Sequence, residues 1–423
     1  MSWLAPFQLF NNLLWQVAPA FFQGLIFFIY LSPIFLAFLL WQTYLLYIRA
    51  GYIARKRVMF EVRIPKEVTK SPKAMELLME VFYQTYEGEL IDKYIHGSVR
   101  DWFSLELVSL GGKIRFFLNI PAFFKNIVET RIYSQYPEAE IFEVEDYTKE
   151  VTFGQPNSPW NIMCFEYSLS EPDAYPIKTY IDYELDRDPK EEFKIEPMTP
   201  LLEAISMIKP TEQIWIQILI MGAKKRFIKE KKKEKDWFFF KTKHREKKEV
   251  DWKASGRDLV DELMSRNKEV KDMSAWVKMN LTNTERDVLA SIQRNLSKPA
   301  FDVGIRSIYA STTGLRPEVF VGFNSAFKQY GAEGLNSFKN SHLTGFPNPW
   351  QDPLGWRVKW RKTQFFKFFC NRSYFYPPAS RKPMGLTSEE LATIYHFPGQ
   401  VATTPNLERI TSKRGEPPAN LPI

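Results

Sequence analysis

The first 48 residues of this chain contain no Asp, Glu, Lys or Arg, although 25% of its 423 residues are charged. From Phe21 to Ile48 the sequence is almost continuously apolar. A helix needs roughly 20 apolar residues to cross a hydrocarbon core of about 30 Å, and this stretch supplies them. Residues 21–48 are therefore predicted to form a single transmembrane helix.

The residues that follow this segment predict its orientation. Trp41, Tyr44 and Tyr47 are aromatic residues of the kind found at membrane interfaces, and four basic residues lie between positions 49 and 57. No basic residue precedes the segment, so the positive-inside rule predicts that the body of the protein lies in the cytoplasm. A cleaved signal peptide is not expected, because no basic n-region and no small-residue cleavage site are present.

Residues 1–20 are predicted to form an uncharged amphipathic helix at the membrane interface. Trp3, Phe7, Phe10, Leu14 and Val17 recur on one helical face, and amide side chains occupy the other. The alternative is a second span, which would form a hairpin with residues 21–48 and bring the N-terminus into the cytoplasm.

Residues 55–150 carry the pattern of a ferredoxin-like unit. Val58–Ile64 alternates like a strand, and Ser71-Pro72 opens a helix. A hairpin follows, with its tight turn at Gly111-Gly112, and a second helix then begins at Pro121. With a last strand near residues 140–145, the order is βαββαβ.

Residues 158–380 are predicted to form a second, degenerate ferredoxin-like unit that carries a helical insertion at 223–298. The overall class is therefore α+β, with two such units behind the transmembrane helix. The predicted strands of the second unit are Trp160–Leu169, Glu212–Met221, Phe301–Tyr309 and a last strand within Trp356–Phe369. The predicted helices are Leu201–Ile208 and Arg316–Tyr330 in the unit, and Lys224–Asp236, Gly256–Asn267 and Thr282–Leu296 in the insertion.

Local motifs for catalysis are missing from the sequence. It contains no phosphate-binding loop, no G-x-S-x-G elbow, no H-E-x-x-H and no C-x-x-C. The histidines are at least 54 residues apart, and Cys164 and Cys370 are isolated in apolar runs. We therefore predict no catalytic residue, no cofactor, no metal site and no enzymatic activity. An enzyme with a scattered site is the alternative, and its candidates are Asp101, Glu106, His342 and His396.

The basic charge of the chain is local. The formal net charge is +8, whereas the segment from Lys224 to Lys248 alone holds 13 basic and 4 acidic residues. Its basic residues could bind a polyanion, either nucleic acid or anionic lipid, or could form a solvated helical face without a partner. The candidate residues are Lys224, Lys225, Arg226, Lys229, Lys231, Lys232, Lys233, Lys235, Lys241, Lys243, Arg245, Lys247 and Lys248.

A second basic region extends from Trp356 to Lys382, where eight basic residues alternate with aromatic ones and no acidic residue occurs. Aromatic residues among cations can stack on nucleic-acid bases. The same pattern is typical of an edge strand with aromatics inward and lysines outward, which is the favoured interpretation. The candidate residues of this basic strand are Arg357, Lys359, Arg361 and Lys362.

Residues 386–423 are predicted to form a short helix and an extended tail. Thr387 and Glu390 have the spacing of a capping box that opens a helix over Ser388–Tyr395. Beyond His396-Phe397-Pro398 the chain is rich in proline, which indicates an extended segment.

These last segments resemble a known family. LTSEELATIYHFPG and TPNLERITSKRGEPPANLP resemble the segment that leads into the ATPase core of type IV secretion and conjugation ATPases of the FtsK and HerA kind. Residues 102–147 and 180–208 resemble the uncharacterised bacterial domain that often precedes such ATPases behind a membrane anchor. The resemblance covers roughly Val58–Ile423 and implies a setting in a membrane-bound apparatus that transfers DNA or protein.

The resemblance carries no catalytic residue to this chain, which ends at Ile423, where the phosphate-loop domain of the family would begin. The leading hypothesis is a single-pass subunit of the bacterial inner membrane that scaffolds or regulates a separate FtsK/HerA-type ATPase. Homo-oligomerisation, such as a hexameric ring, would follow by analogy with the motor. The alternative is a membrane-associated nucleic-acid-binding protein that acts through its basic insertion.

Overall fold

The structure is a computed structural model. It describes residues 5–65, 70–186, 196–224, 282–343 and 349–399, short pieces between 226 and 260, and residues 407, 409 and 410. It combines one apolar N-terminal helix with a large antiparallel sheet and packed helices. The chain divides into two compact units. One is Met1–Arg55 with Tyr86–Val99, and the other is Lys56–Thr85 with Arg100–Ile423.

The first unit is built on helix α1 (Ala5–Ile53), which continues through Pro33. Its part from Phe27 to Ile53 has a mean hydropathy of 1.6 and is long and apolar enough to cross a bilayer by length and composition. The sequence predicted an interfacial helix over 1–20 and a separate span over 21–48. The helix is continuous from Ala5 to Ile53, with no break at that boundary. Within this unit, the rings of Trp41 and Tyr94 lie 6.1 Å apart.

The second unit contains the sheet and most of the helices. Its helices are α2 (Lys73–Met79), α4 (Lys125–Gln135), α5 (Thr199–Ser206), α6 (Asn283–Ser297), α7 (Pro317–Ala326), α8 (Trp356–Cys370) and α9 (Ser388–Ile394). Helix α3 (Leu90–Tyr94) belongs to the first unit. The strands are β1 (Arg57–Pro65), β2 (Phe103–Leu110), β3 (Lys113–Pro121), β4 (Glu140–Glu143), β5 (Asn161–Leu169), β6 (Glu212–Gly222), β7 (Arg226–Lys229), β8 (Lys233–Trp237), β9 (Phe240–His244), β10 (Lys247–Val250), β11 (Ala300–Ser311), β12 (Phe338–Leu343), β13 (Met384–Thr387) and β14 (Arg409–Ile410).

The main sheet consists of two four-stranded sets with the same order. In the first set the order is β4-β1-β3-β2, and in the second it is β12-β5-β11-β6, with antiparallel neighbours throughout. The two sets join through β2 and β6, which pair antiparallel over all of Phe103–Leu110. Two short strands are added, β13 beside β11 and β14 parallel to β1.

The turn between β2 and β3 explains why the first set forms from local sequence. Gly111 and Gly112 have φ angles of 57° and 92°, which are accessible to glycine without steric cost. The hairpin predicted at this place is confirmed. Strand β6 is buried along its whole length, as expected for an apolar run that lies in the middle of a sheet covered on both faces.

Both faces of the sheet carry a core. The larger core lies under α2, α4, α5, α7 and α9. The smaller core lies on the opposite face of the sheet. There Phe117 of β3, Trp215 of β6 and Tyr147 pack against Phe365 and Phe369 of α8. Helix α8 is thus the principal helical cover of the second face among the described residues.

The predicted last strand of the second set is wrong. Residues 356–370 form helix α8, and the fourth strand of the set is instead Phe338–Leu343. The basic strand predicted from Arg357, Lys359, Arg361 and Lys362 is therefore part of a helix. Phe365 and Phe369 are buried and four residues apart, which is the spacing of a helix face that packs on a sheet.

The secondary structure of the insertion differs from the prediction in its first part and agrees with the prediction in its last helix. The helix predicted over Lys224–Asp236 is wrong, because strands β7 to β10 form two antiparallel ribbons, β7 with β10 and β8 with β9. Helix α6 confirms the helix predicted at 282–296, and its capping box joins Thr282 and Glu285. Of the helix predicted over Gly256–Asn267, residues 256–260 are helical and the rest lie outside the described residues.

Candidate functional site

The basic residues predicted to bind a polyanion are only partly described. For Lys224–Lys248 the structure gives the backbone of four strands, and the side chains beyond Lys224 lie outside its description. The register pairs Lys233 with His244 and Asp236 with Lys241 across the ribbon of β8 and β9. The sequence prediction of polyanion binding therefore stays a prediction for this segment.

The first part of the second basic region forms the exposed surface of α8. Trp356 and Trp360, one helical turn apart, are 72% and 65% exposed, and Arg357 and Arg361 lie beside them on the helix. These four residues line a shallow hollow of about 350 Å³. Such exposure is unusual, because tryptophan is on average one of the more buried residues of a folded chain.

The helix has two opposite faces. Trp356 and Phe365 are nine positions apart, or about two and a half turns, so they point to opposite sides of the helix. Phe365 is buried in the smaller core, whereas Trp356 is exposed. Further along the same helix Lys362 is half-buried, and burial lowers its pKa. Most exposed positions of α8 thus lie in its first half, on the face opposite Phe365.

The beginning of α8 is fixed by residues that precede it. Gly355 has a φ of 68°, in the left-handed region. The carboxylate of Asp352 accepts a hydrogen bond of 2.7 Å from the backbone N–H of Val358, which is one of the N–H groups without a partner inside the helix. Arg357 donates to the carbonyl of Gln351 at 3.3 Å. The Trp/Arg surface is the name we give to one group of residues at this end of α8. Its members are the exposed Trp350, Leu354, Trp356, Arg357 and Trp360 and the half-buried Arg361.

The end of α8 is anchored by a buried arginine. Arg306 of β11 donates to the carbonyls of Phe368 and Ser373 at 2.9 and 3.0 Å, and its guanidinium lies 5.1 Å from the ring centroid of Phe369. A cation at the C-terminus of a helix also opposes the negative end of the helix dipole. Burial lowers the pKa of Arg306 to about 10.

A second buried arginine follows α8 directly. Arg372 donates to both carboxylate oxygens of Glu106 at 3.0 and 3.1 Å, and it also pairs with Asp146. Burial acts to raise the pKa of both acids, but the attraction of the guanidinium outweighs it, so the pKa of Glu106 and that of Asp146 are lowered. We call these three residues the Arg372 cluster.

The other face of the sheet buries a different set of charges, under α9. Glu389 accepts from Thr179 at 2.7 Å and from Arg294 at 3.1 Å, and Glu390 accepts from the backbone N–H of Ile177 at 3.0 Å. Burial raises the pKa of Glu389, and it raises the pKa of Glu390 to about 7. We call Glu389, Glu390 and their partners the α9 cluster.

The cluster continues into α2 through Glu76. Its carboxylate accepts from Tyr180 at 2.7 Å and from Lys298 at 2.6 Å. The short helix predicted here is α9, and every residue of it is buried. Most of the extended tail predicted beyond it lies outside the described residues. The capping box of Thr387 and Glu390 is confirmed, but it forms inside the body.

Two residues of the scattered-site alternative, Glu106 and His396, are held in separate contacts. Glu106 is held by Arg372, and His396 is buried with its Nε2 2.7 Å from Glu196 and its Nδ1 2.8 Å from the Ala392 carbonyl. The side chain of His342 lies outside the described residues. No group of three potential metal ligands occurs among the residues that the structure describes.

Sequence reasoning missed Arg306 and Arg372, the burial of α9 and the Trp/Arg surface. One sequence signal for the Trp/Arg surface was present. Trp356 and Trp360 are four residues apart, as are Phe365 and Phe369, and on a helix the two pairs lie on opposite faces. Comparison with known proteins gives no further guide, since no family model and no curated protein matches the chain.

Proposed function

We propose that this protein is a non-catalytic, membrane-anchored subunit that scaffolds or regulates a separate ATPase of the FtsK/HerA kind. Its setting would be a bacterial apparatus related to type IV secretion or conjugation, which moves DNA or protein. The proposal takes the family from the resemblance of residues 102–147, 180–208 and 386–422, and the anchor from the candidate span Phe27–Ile53.

The strand orders support a finer description of the body. We propose that the two four-stranded sets are two ferredoxin-like units, because β4-β1-β3-β2 and β12-β5-β11-β6 follow the order expected of βαββαβ units. Helices α2 and α4 would belong to the first unit, and α5 and α7 to the second. Such units occur in enzymes, binding modules and scaffolds, so the fold alone does not select among them.

One observation carries the non-catalytic part of the proposal. Two deeply buried ion pairs of the body hold its elements together: Arg372, two residues beyond the end of α8, donates to Glu106 of β2, and Arg294 of α6 donates to Glu389 of α9. An acid that serves as a general base needs access to a substrate. Glu106, at 0% exposure, has none.

The anchor gives the proposal its location. The positive-inside rule favours a body in the cytoplasm, because basic residues follow the span and none precedes it. A single span in the inner membrane would then hold the body where a motor ATPase could dock. Self-association into a ring matched to that motor is part of the same proposal.

The test is affinity capture of the tagged full chain from bacterial membranes in mild detergent. We expect recovery of an FtsK/HerA-type ATPase, and no ATP hydrolysis by the purified protein alone. A matched control is the same chain carrying Arg372→Met, which we expect to disturb the body. Repeated capture without such an ATPase, or hydrolysis by the purified chain, would overturn the proposal.

A second candidate is a nucleic-acid-binding protein at the membrane. The observation that favours it is the pair of two-stranded ribbons, β7 with β10 and β8 with β9, in the segment that holds 13 basic residues. A two-stranded ribbon can enter the major groove of DNA.

The test of this candidate is the salt dependence of DNA binding by the full chain. Contacts to phosphates predict an affinity that falls steeply with salt. Replacing Lys231, Lys232 and Lys233 by Glu should reduce both the affinity and that slope. If affinity stays unchanged, the basic segment is not a DNA-binding site.

A further inference from the structure

The Trp/Arg surface has the composition of a membrane-binding face. Trp350 and Leu354 are 75% and 68% exposed just ahead of α8, and Trp356 and Trp360 continue the apolar surface on the helix. Tryptophan has a preference for the interface between lipid and water, since its ring is apolar and its N–H is polar. Three tryptophans and Leu354, all exposed and close in sequence, present apolar surface that water solvates poorly.

The sequence around this patch is basic, although two of its arginines are already paired with acids: Arg372 with Glu106 and Asp146, and Arg381 with Glu166. From Leu354 to Ser388 the sequence contains eight basic residues and no acidic one. The nearest acid before it, Asp352, is engaged in capping α8. Basic residues next to aromatic ones on one helix are typical of helices that lie on anionic membranes.

We propose that the Trp/Arg surface binds the anionic phospholipid headgroups of a bilayer, with Trp356 and Trp360 in the interface and Arg357 and Arg361 at the phosphates. This inference rests on one part of the proposed function, the membrane anchor, and it does not require the ATPase partner. Arginine suits phosphate because its planar guanidinium can donate two parallel hydrogen bonds.

The covalent structure of the chain favours lipid over other occupants. Only residues 54–56 separate the candidate span from β1, so a bilayer crossed by α1 would be tethered to the body by a short link. A tethered ligand has a high effective concentration, which makes a weak surface contact sufficient. The cytoplasmic leaflet is also anionic, which matches the sign of the surface.

The experiment measures contact of two tryptophans with lipid in the full chain. The protein is placed, one copy per disc, in nanodiscs of phosphatidylcholine alone or mixed with phosphatidylglycerol, with or without bromine on the acyl chains. Bromine quenches tryptophan only on close approach. Subtracting the emission of Trp356→Phe/Trp360→Phe from that of the unaltered chain isolates the two residues.

We expect the isolated emission to fall by about half or more in brominated anionic discs, because both rings would lie at the interface. Arg357→Gln/Arg361→Gln should lower the equilibrium constant for the lipid-bound state by about fivefold for each arginine, and the quenching should fall with it. Lys113→Gln/Lys328→Gln removes the same charge from exposed positions elsewhere and should leave the quenching unchanged.

Each other outcome has a distinct meaning. If the chain does not enter the discs, the anchor is wrong and this inference falls with it. If the chain enters and the isolated emission is not quenched, this inference alone is overturned. Equal quenching in neutral and anionic discs overturns the role of anionic lipid. A response of the isolated emission to added DNA, without quenching by lipid, identifies nucleic acid as the occupant and overturns the inference.

Discussion

The two faces of the sheet bury charged groups with opposite results. On the face covered by α8, the pKa values of Glu106 and Asp146 are lowered although burial acts to raise them. On the face covered by α9, burial raises the pKa of Glu389 and that of Glu390, the latter to about 7. Both faces remove carboxylates from water, so burial alone does not explain the difference.

The position of the cation explains it. The side chain of Arg372 is 3% exposed and bonds both oxygens of Glu106, so the attraction acts inside the protein, where screening is weak. Arg294 and Lys298 reach the α9 cluster from its rim, with side chains 31% and 28% exposed. The lesson is that the acids under α8 stay ionised, whereas Glu390 under α9 binds a proton near neutral pH.

The largest expected effect comes from removing the cation of the Arg372 cluster. Arg372→Met leaves Glu106 buried without its partner, which should lower the free energy of unfolding by about 3–5 kcal/mol. The measurement is denaturant unfolding of the purified full chain in detergent, followed by tryptophan fluorescence. Adding Glu106→Gln to Arg372→Met should recover part of the loss.

The matched control for this prediction is Arg381→Met. The Arg381 side chain is 41% exposed and lies 3.9 Å from Glu166, so its loss should cost about 0–1 kcal/mol. Equal losses in the two variants would mean that the burial of Arg372 does not determine its contribution.

The second prediction concerns the pH dependence of stability. Burial raises the pKa of Glu390 to about 7 in the folded state, from the 4.5 that is usual for a glutamate in water. Between pH 4.5 and 7 the folded state therefore holds a proton that the unfolded state has lost. Stability from this group is therefore full below about pH 4.5 and falls as pH rises to about 7. At 1.36 kcal/mol per unit, the change is at most about 3 kcal/mol.

Glu390→Gln should flatten the curve of unfolding free energy against pH between those limits. The slope is the readout, since the amide also changes the hydrogen bonds to Thr387 and Ile177. The control is Glu138→Gln, at an exposed position, which should leave the slope unchanged. An unaltered slope in Glu390→Gln would show that another group binds the proton.

The third prediction compares the packing of the two faces. A Cβ on Gly304 would lie 2.4 Å from the ring of Tyr374, which follows α8, so Gly304→Ala should cost about 1–3 kcal/mol by overpacking. In a Tyr374→Leu background the cost should shrink. A Cβ on Gly322 of α7 meets nothing within 4 Å, so Gly322→Ala should be neutral or stabilising by up to about 1 kcal/mol. Thermal unfolding measures both changes, and a loss for both would contradict the contrast.

Much of the fold could be predicted from local patterns. Gly111-Gly112 indicates a hairpin whatever surrounds it, and β1, β2, β3, β5, β6 and β11 alternate or are continuously apolar. The capping boxes at Thr282 and Thr387 could also be predicted from local sequence, because each is formed by two residues only three positions apart. Helix α8 was mistaken for a strand because basic and aromatic residues alternate over positions 356–362.

The sites could not be predicted in the same way. Arg372 and Glu106 are 266 residues apart, and Glu389 and Thr179 are 210 apart, so only the folded sheet brings them together. The burial of α9 has the same cause, since its partners α2 and residues 177–182 lie far away in sequence. The exposure of Trp356 and Trp360 follows from which face of α8 the sheet covers.

The smallest expected effect tests the rim of the α9 cluster. Lys298 donates to Glu76 at 2.6 Å, and its positive charge acts to lower the pKa of Glu389. Lys298→Met should therefore raise the pKa of Glu389 further. A carboxyl with a raised pKa destabilises the fold once it must ionise, so the loss should be up to about 1 kcal/mol near pH 8 and smaller near pH 5. Unfolding at the two pH values measures it, with Lys328→Met as the exposed control. The same loss at both pH values would mean that Lys298 acts through packing of its aliphatic stem and not through the pKa of Glu389.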